Sequence, residues 1–589
     1  MKTNRRQVFI LLILAVFVSF FVRFWKISTL PFPPNGDELA FGYYGWSLLH
    51  FAKDEYGNTL PLNFPSIGDF KYPTLAYLNI IPAVFFALSE ITVRFWNAVS
   101  GILLVLLIYK LSLFIFNKRT AALASAWLIA LSPWSIIESR FGWENHISMV
   151  LTTAGVLLLF ISFTKSDSKN RIKLYIVSLI MFLISSFCYG AQRIFIPLFL
   201  FSLTLLTLIK ETGFYKERRT IYFLFIAIST VIFISLLSPQ NRGRASEEVW
   251  RLIPQGNDRL QQLYIGAGIS DIKIPARLTW FFHNKYRLAL TDFLDRYLDH
   301  FNPKFLFFYG EASAEKIPDM GVLLFIEIIL LPAGILTFLN KNKKSLIILF
   351  WLIIAPIASS LTFGGAHINR ASIMIPPIAL ISGFGFKSLT EIFKNRIKLF
   401  IGIILTIGIL ISSAFALNQI FIQKPQDKPW LKEQVYKKVV LEILNLKGNF
   451  DAVALTDDDY IYFLFYGKIS PQDFISRAEI LPLNSQNKWE RVNRLDNIYF
   501  KMPYDCPRAG KLNVLYVCSG VEVPQNSKVL KTFYYKDKVP AFTFVEFYPI
   551  SDMPQKLTEL PENLHYMVEV EKNLNFQDGI IPEKYPQLW

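Results

Sequence analysis

Apolar runs of roughly 20 residues recur along this chain, and each is long enough to cross a hydrocarbon core about 30 Å thick as a helix. They fall near residues 8–25, 95–116, 120–137, 146–163, 172–188, 193–209, 220–238, 321–339, 345–362, 371–388 and 397–417. Backbone polar groups in lipid must be paired within the segment, so a chain with this many apolar runs folds as a bundle of helices. Composition agrees. Of 589 residues 53% are hydrophobic and only 18% are charged, against roughly a quarter charged in soluble domains. The sequence therefore predicts an α-helical polytopic membrane protein with about 11 transmembrane helices.

The net charge of +16 would suit nucleic acid if the cations formed a patch interleaved with exposed aromatics. They do not. They concentrate in short loops, as the bias of Lys and Arg toward the cytoplasmic side requires, so no nucleic acid is expected as a partner. With Lys2, Arg5 and Arg6 inside, the cations at 118–119, 165–173, 210–219, 341–344 and 387–398 are inside as well. A twelfth apolar run, Tyr72–Leu88, is shorter and carries Pro73 and Pro82. Counting it as a span would reverse the sidedness of either the N-terminal cations or all later basic loops. A re-entrant or interfacial helix is expected there instead. The basic N-terminus before the first run reads as an uncleaved anchor, because no small-residue cleavage site follows it.

This parity places the N-terminus in the cytoplasm and puts several loops on the outer face. They are the first loop (26–94), the Glu138–His146 and Tyr189–Arg193 turns, the long 240–320 loop and the Phe363–Arg370 turn. Residues 1–424 form the membrane domain. Residues 425–589 are ordinary in composition and read as an outer α/β or α+β domain, with strands at 451–455 and 512–517 and a helix at 432–446. Cys506 and Cys518 lie twelve apart in it; spacing leaves a disulfide and two free thiols equally open.

Ionisable groups beside a membrane core are costly and usually have a task. Asp37 and Glu38 follow the first run, and Asp54, Glu55, Asp69, Glu138 and Glu144 share their side. Lys71, Arg94, Arg140, Arg193 and Arg370 supply cations there, with His146 and His367 nearby. A carboxylate can take the proton from an attacking hydroxyl, and fixed cations can stabilise a departing phosphate without a metal. Structural readings compete at each position. Asp37 and Glu38 could cap a helix starting near Leu39, Glu144 could cap the span it opens, and Arg193 and Arg370 could anchor at the interface. Asp457-Asp458-Asp459 has the form of a metal-binding cluster, although a solvated turn explains it as well. No zinc spacing and no phosphate-cradling glycine motif occurs.

Several segments together resemble the GT-C superfamily of lipid-linked-sugar glycosyltransferases. They are Gly36-Asp37-Glu38, Asp54-Glu55-Tyr56-Gly57, Gly68-Asp69-Phe70-Lys71-Tyr72-Pro73, Ser132-Pro133-Trp134, Ser139-Arg140-Phe141-Gly142-Trp143-Glu144-Asn145, Tyr189-Gly190-Ala191-Gln192-Arg193 and His367-Ile368-Asn369-Arg370 ahead of Pro376-Pro377. Within that superfamily the pattern is similar to glycosyltransferase family 39, the group of protein O-mannosyltransferases and bacterial aminoarabinose transferases. Residues 463–471 also resemble the outer-domain segment of a bacterial subgroup. The resemblance implies an inverting transfer of a sugar from a polyprenyl-phosphate donor to a hydroxyl acceptor at the outer face of the cell's inner membrane. Asp37 would be the general base, Glu38 its support and Glu144 a second carboxylate for acceptor or sugar. Lys71, in Lys-Tyr-Pro where many relatives carry Lys-Pro-Pro, would meet the donor phosphate. Arg140, Arg193, His367, Arg370, Asp69 and Tyr189 are the further substrate-binding candidates. No metal or other cofactor is implied. A transporter or flippase would instead place charges near mid-span within repeated halves, and a non-catalytic assembly protein would tolerate loss of Asp37.

Overall fold

The computed structural model describes residues 5–548, apart from 67–68, 209–213, nearly all of 236–283, 312–315, 342–345, 363–364, 482–490 and a few positions between 501 and 525. Much of the 240–320 loop and part of the basic 341–344 loop lie outside the described residues. Each of the apolar runs falls on a helix. Among the described residues six helices are long and apolar enough to cross a membrane: Arg5–Phe24, Glu90–Phe116, Glu144–Ser162, Arg218–Ser235, Ser372–Ile392 and Arg396–Asp427. Shorter apolar helices include Arg119–Leu131, Gln192–Leu206, Glu327–Phe338 and Leu346–Ser360. The chain is a multi-pass membrane protein. The proline-bearing run at 72–88 is broken into helices Pro73–Leu78 and Ile80–Phe86, of 6 and 7 residues. At about 1.5 Å rise per residue neither crosses alone.

The chain divides into two compact units. The first holds Met1–Pro31, Tyr72–Pro82 and Glu90–Asp427. Its helices approach closely where glycine removes the side chain. A Cβ on Gly385 would lie 1.9 Å from the Leu330 carbonyl oxygen, and one on Gly334 would lie 2.2 Å from that of Ile381. Helix Ile375–Ile392 therefore packs almost backbone to backbone on Glu327–Lys341, the small-residue contact that membrane helices favour. At one end of this bundle the turns knit together. Trp134 donates its backbone N–H to Val322 O (3.1 Å) and its indole N–H to Ile368 O (3.2 Å). Cys188 Sγ lies 3.5 Å from Glu144 O, and His300 Nε2 lies 2.8 Å from Ser359 Oγ. The turns expected to share one face thus do share one end of the bundle.

The second unit joins Phe32–Lys71 and Ala83–Ser89 to Lys428–Trp589. The units change over at 427/428, and most of the first loop groups with the C-terminal domain. Tyrosines make that attachment: Tyr43 donates to Ile469 O (2.9 Å) and Tyr462 to Pro34 O (3.3 Å). Among the described residues the domain carries a mixed sheet of seven strands: β3 (Ala452–Leu455), β4 (Ala478–Leu481), β5 (Arg491–Leu495), β6 (Ile498–Tyr499), β7 (Val514–Ser519), β8 (Ser527–Tyr534) and β9 (Pro540–Phe547). Their order is β4-β5-β6-β3-β7-β9-β8. Two of the sheet's pairings are parallel, β3 with β6 and β3 with β7, and the others are antiparallel. Both β3 and β7 coincide with expected strands, and helix Glu433–Leu446 with the expected helix. Cys506 and Cys518 are joined as a disulfide.

Candidate functional site

Helix Gly36–Phe51 opens directly after two prolines, and Asn35 is its N-cap. Asn35 Oδ1 accepts from Glu38 N (2.9 Å) while Glu38 Oε1 accepts from Asn35 N (3.3 Å). This reciprocal box satisfies donors that a helix start leaves open. Glu38 is 1% exposed and committed to the cap. Asp37, one residue earlier, projects away and meets Lys71 Nζ at 2.6 Å. Lys71 ends a short hairpin of β1 (Phe64–Ser66) and β2 (Asp69–Lys71). In that hairpin Asp69 pairs by its backbone with Ser66. The ammonium side chain is 11% exposed and the Asp37 carboxylate 38%. An accessible carboxylate is thus held beside a cation that is mostly withdrawn from water, in the favourable field of a helix N-terminus.

The same unit holds a buried acid. Glu55 is fully buried, and its Oε1 is 3.0 Å from the Tyr44 hydroxyl and 3.4 Å from that of Tyr460. Tyr44 also lies 3.0 Å from Pro65 O, and one phenolic proton serves one of these acceptors well. Glu55 Oε2 has no hydrogen-bond partner. Burial, then the charge of Asp54, raises the Glu55 pKa well above its ordinary 4.5, which favours the protonated form that could supply the missing proton. A raised acid pKa contributes stability that is complete below about pH 4.5 and is lost as pH rises through the folded-state value. Glu55→Gln is therefore expected to flatten the fall of melting temperature with rising pH. Thermal unfolding from about pH 5 to about pH 9 checks this, and a wild-type slope retained in the variant contradicts it.

The remaining candidates lie in the first unit. Arg140 is fully buried, and its guanidinium donates to Val22 O (2.6 Å), Arg23 O (3.0 Å), Trp25 O (2.8 Å) and Leu30 O (3.1 Å). It closes the carbonyl end of the first helix, where orphan acceptors need donors, and so serves structure rather than substrate. Arg193 donates through Nε to Ser186 O (3.0 Å) and sits over the rings of Tyr72 and Phe187, 4.6 and 5.3 Å from their centroids. Glu144 is buried at the first position of helix Glu144–Ser162, and Tyr189 O accepts from Gln192 N (3.1 Å) in the neighbouring turn. Arg370 donates to Thr362 Oγ1 (2.6 Å). His367 Nδ1 is 3.5 Å from Glu311 Oε2. Burial, then Arg370 and His300, lowers the His367 pKa to about 4, so this imidazole is neutral near pH 7.

The structure thus brings Asp37 to Lys71 and gives Glu38 a capping role. Sequence reasoning missed Glu311, the carboxylate against His367; no motif marks it, because its contact comes from a turn 57 residues away. The acidic run Asp457-Asp458-Asp459 is, among the described residues, the one group of three whose ligand atoms converge as a metal would need. There Lys432 Nζ already bridges Asp457 (2.8 Å) and Asp459. Burial opposes its charge, yet the two carboxylates outweigh that and raise its pKa.

Residues 13–238 match the family model described as dolichyl-phosphate-mannose-protein mannosyltransferase. No curated protein sequence matches the chain. The oligosaccharyltransferase of Archaeoglobus fulgidus, solved with a tethered acceptor peptide, aligns with a TM-score of 0.50 at 13% identity, covering 79% of this chain and 63% of its own. This chain therefore spans less than two thirds of that protein's length, and the likeness is one of fold. ArnT from Cupriavidus metallidurans, solved with undecaprenyl phosphate, aligns with a TM-score of 0.48 at 10% identity over 92% of this chain and 98% of the other.

Proposed function

We propose that this chain is an inverting membrane glycosyltransferase of the GT-C type, a reading supported by the protein-mannosyltransferase match at 13–238 and by the likeness of fold to the archaeal oligosaccharyltransferase. Its donor is a polyprenyl-phosphate-linked sugar and its acceptor a hydroxyl group, met at the outer face of the cell's inner membrane. The observation that carries the reading is the Asp37–Lys71 pair at 2.6 Å. A partly exposed carboxylate can receive the acceptor's proton. The adjoining ammonium can neutralise the phosphate that leaves.

In the reaction the acceptor oxygen attacks the anomeric carbon as Asp37 takes its proton. The bond from that carbon to the phosphate oxygen breaks, and the electron pair leaves with the lipid phosphate. One displacement inverts the anomeric centre. Glu38 supports the step by fixing the helix start on which Asp37 stands. Arg193 and Arg370 are further cations for the phosphate, and Glu144 a second carboxylate for positioning. Arg140 takes no part, because both terminal nitrogens of its guanidinium are spent on backbone carbonyls. The cations are the protein's own, so no divalent metal is required.

Purified protein incubated with radiolabelled polyprenyl-phosphate sugars and a panel of hydroxyl acceptors tests this. Transfer with inversion from at least one donor, unchanged by a chelator, is the expected result. Release of sugar from none of them overturns the reading, and activity lost to chelator and restored by manganese or magnesium overturns its metal independence.

A further inference from the structure

A cavity of about 390 Å³ opens in the first unit between the end of helix Lys285–Asp299 and the turn that carries His367. It is lined by Asp299, Asn302, Lys304, Phe305, Glu311 and His367, with Gly310, Gly365 and Ala366 giving it room. We propose that this cavity binds a sugar ring, which its carboxylates and amide hold by the hydroxyls.

The walls are built and not incidental. Glu311 Oε2 accepts from Ile368 N at 2.6 Å, which fixes the carboxylate against the 365–368 turn. Asn302 Oδ1 accepts from Lys304 N (3.0 Å), so the opposite end of that amide remains a donor. His300 ties the helix end to the facing segment through Arg296 O and Ser359 Oγ, both at 2.8 Å. Arg370 braces the turn on Thr362.

The chemistry of the lining selects the ligand. Two carboxylates and one exposed lysine disfavour a phosphate or pyrophosphate, which like charges would repel. A divalent cation would need ligand atoms that converge, and among the described residues these converge elsewhere, at Asp457-Asp458-Asp459. A volume near the lower end of the roughly 300–1,000 Å³ usual for small-molecule sites suits a single ring and not a lipid chain. Carboxylate and amide groups fixed by their own partners read vicinal hydroxyls, and Phe305 offers an apolar wall. His367 accordingly belongs to a sugar pocket and not to the donor phosphate. The choice of a sugar rests on the glycosyl-transfer reading; the cavity and its polarity do not.

The test is saturation-transfer NMR on the full chain in detergent, with methyl glycosides of mannose, glucose, galactose and N-acetylglucosamine as probes. Two variants fill or strip the cavity: Gly365→Phe and Asn302→Leu. A Cβ at Gly365 would lie 3.6 Å from Asp299 Oδ2, an ordinary contact, so a larger side chain occupies the space without forcing the backbone. At least one glycoside should bind, each variant should weaken it about tenfold or more, and Asp37→Asn should bind as wild type does. In transfer assays Gly365→Phe should raise KM for the donor if the ring is the donor's, and for the acceptor if it is the acceptor's. Binding of no glycoside, or binding that neither folded, monodisperse variant weakens, overturns the pocket. Glycoside binding lost in both variants, with no transfer by wild type from any donor, leaves the pocket standing and removes the glycosyltransferase reading instead.

Discussion

Asp37→Asn is expected to lower kcat for sugar transfer about a thousandfold while donor KM changes little. General-base catalysis contributes roughly 10²–10⁴-fold, and asparagine keeps the shape of the side chain while removing its ability to take a proton. The fold should survive the change. Asp37 is partly exposed, and the cap of its helix is made by Asn35 and Glu38, not by Asp37. What the helix loses is one favourable charge near its N-terminus, about 0.3–1 kcal/mol. Single-turnover measurement with a radiolabelled donor separates chemistry from binding. A variant that keeps more than a tenth of wild-type turnover would remove Asp37 from the role of base.

Lys71→Met is expected to act on the other side of the same pair. Lys71 is mostly withdrawn from water while Asp37 is partly exposed, so truncating the lysine costs an amount at the low end of about 2–5 kcal/mol, and each 1.4 kcal/mol is about tenfold. A hundredfold loss in kcat/KM is therefore the order expected, carried chiefly by donor KM, because in the proposed reaction the lost ammonium is the one that meets the phosphate. Lys71→Arg should recover part of the donor KM and less of kcat. Its planar fork keeps the charge but cannot occupy the position of a compact ammonium 2.6 Å from Asp37. Since Lys71 rests on Asp37, donor binding and the freeing of the base are coupled: the phosphate must draw the ammonium toward itself. Donor KM within twofold of wild type in Lys71→Met would show that the phosphate is held elsewhere.

Much of this was legible in the sequence. The apolar runs marked the helices because a span declares itself by about twenty consecutive residues. Strands β3 and β7 and helix Glu433–Leu446 were readable for the same reason. Asp37 and Lys71 were both singled out, but their contact is made across 34 residues, and sequence spacing does not encode such a distance. The resemblance already ranked Glu38 below Asp37, but the capping box that occupies Glu38 was seen only in the structure. Arg140 looked like its fellow outer-end cations because a formula for charge does not show where the carbonyls lie.

By itself, then, the sequence determined that this chain is a multi-pass helical protein with a sheet-bearing C-terminal region, and which end of the helices gathers its acids and bases. Tertiary structure alone decided that most of the first loop packs with the C-terminal domain through Tyr43 and Tyr462. It also decided that Glu55 is buried, which favours its protonated form, and that Asp299, Asn302 and Glu311 line one cavity with His367. The division has one physical cause. Hydrophobic periodicity and charge bias act between neighbours in the chain. Burial, pairing and cavity walls arise between residues that only packing brings together.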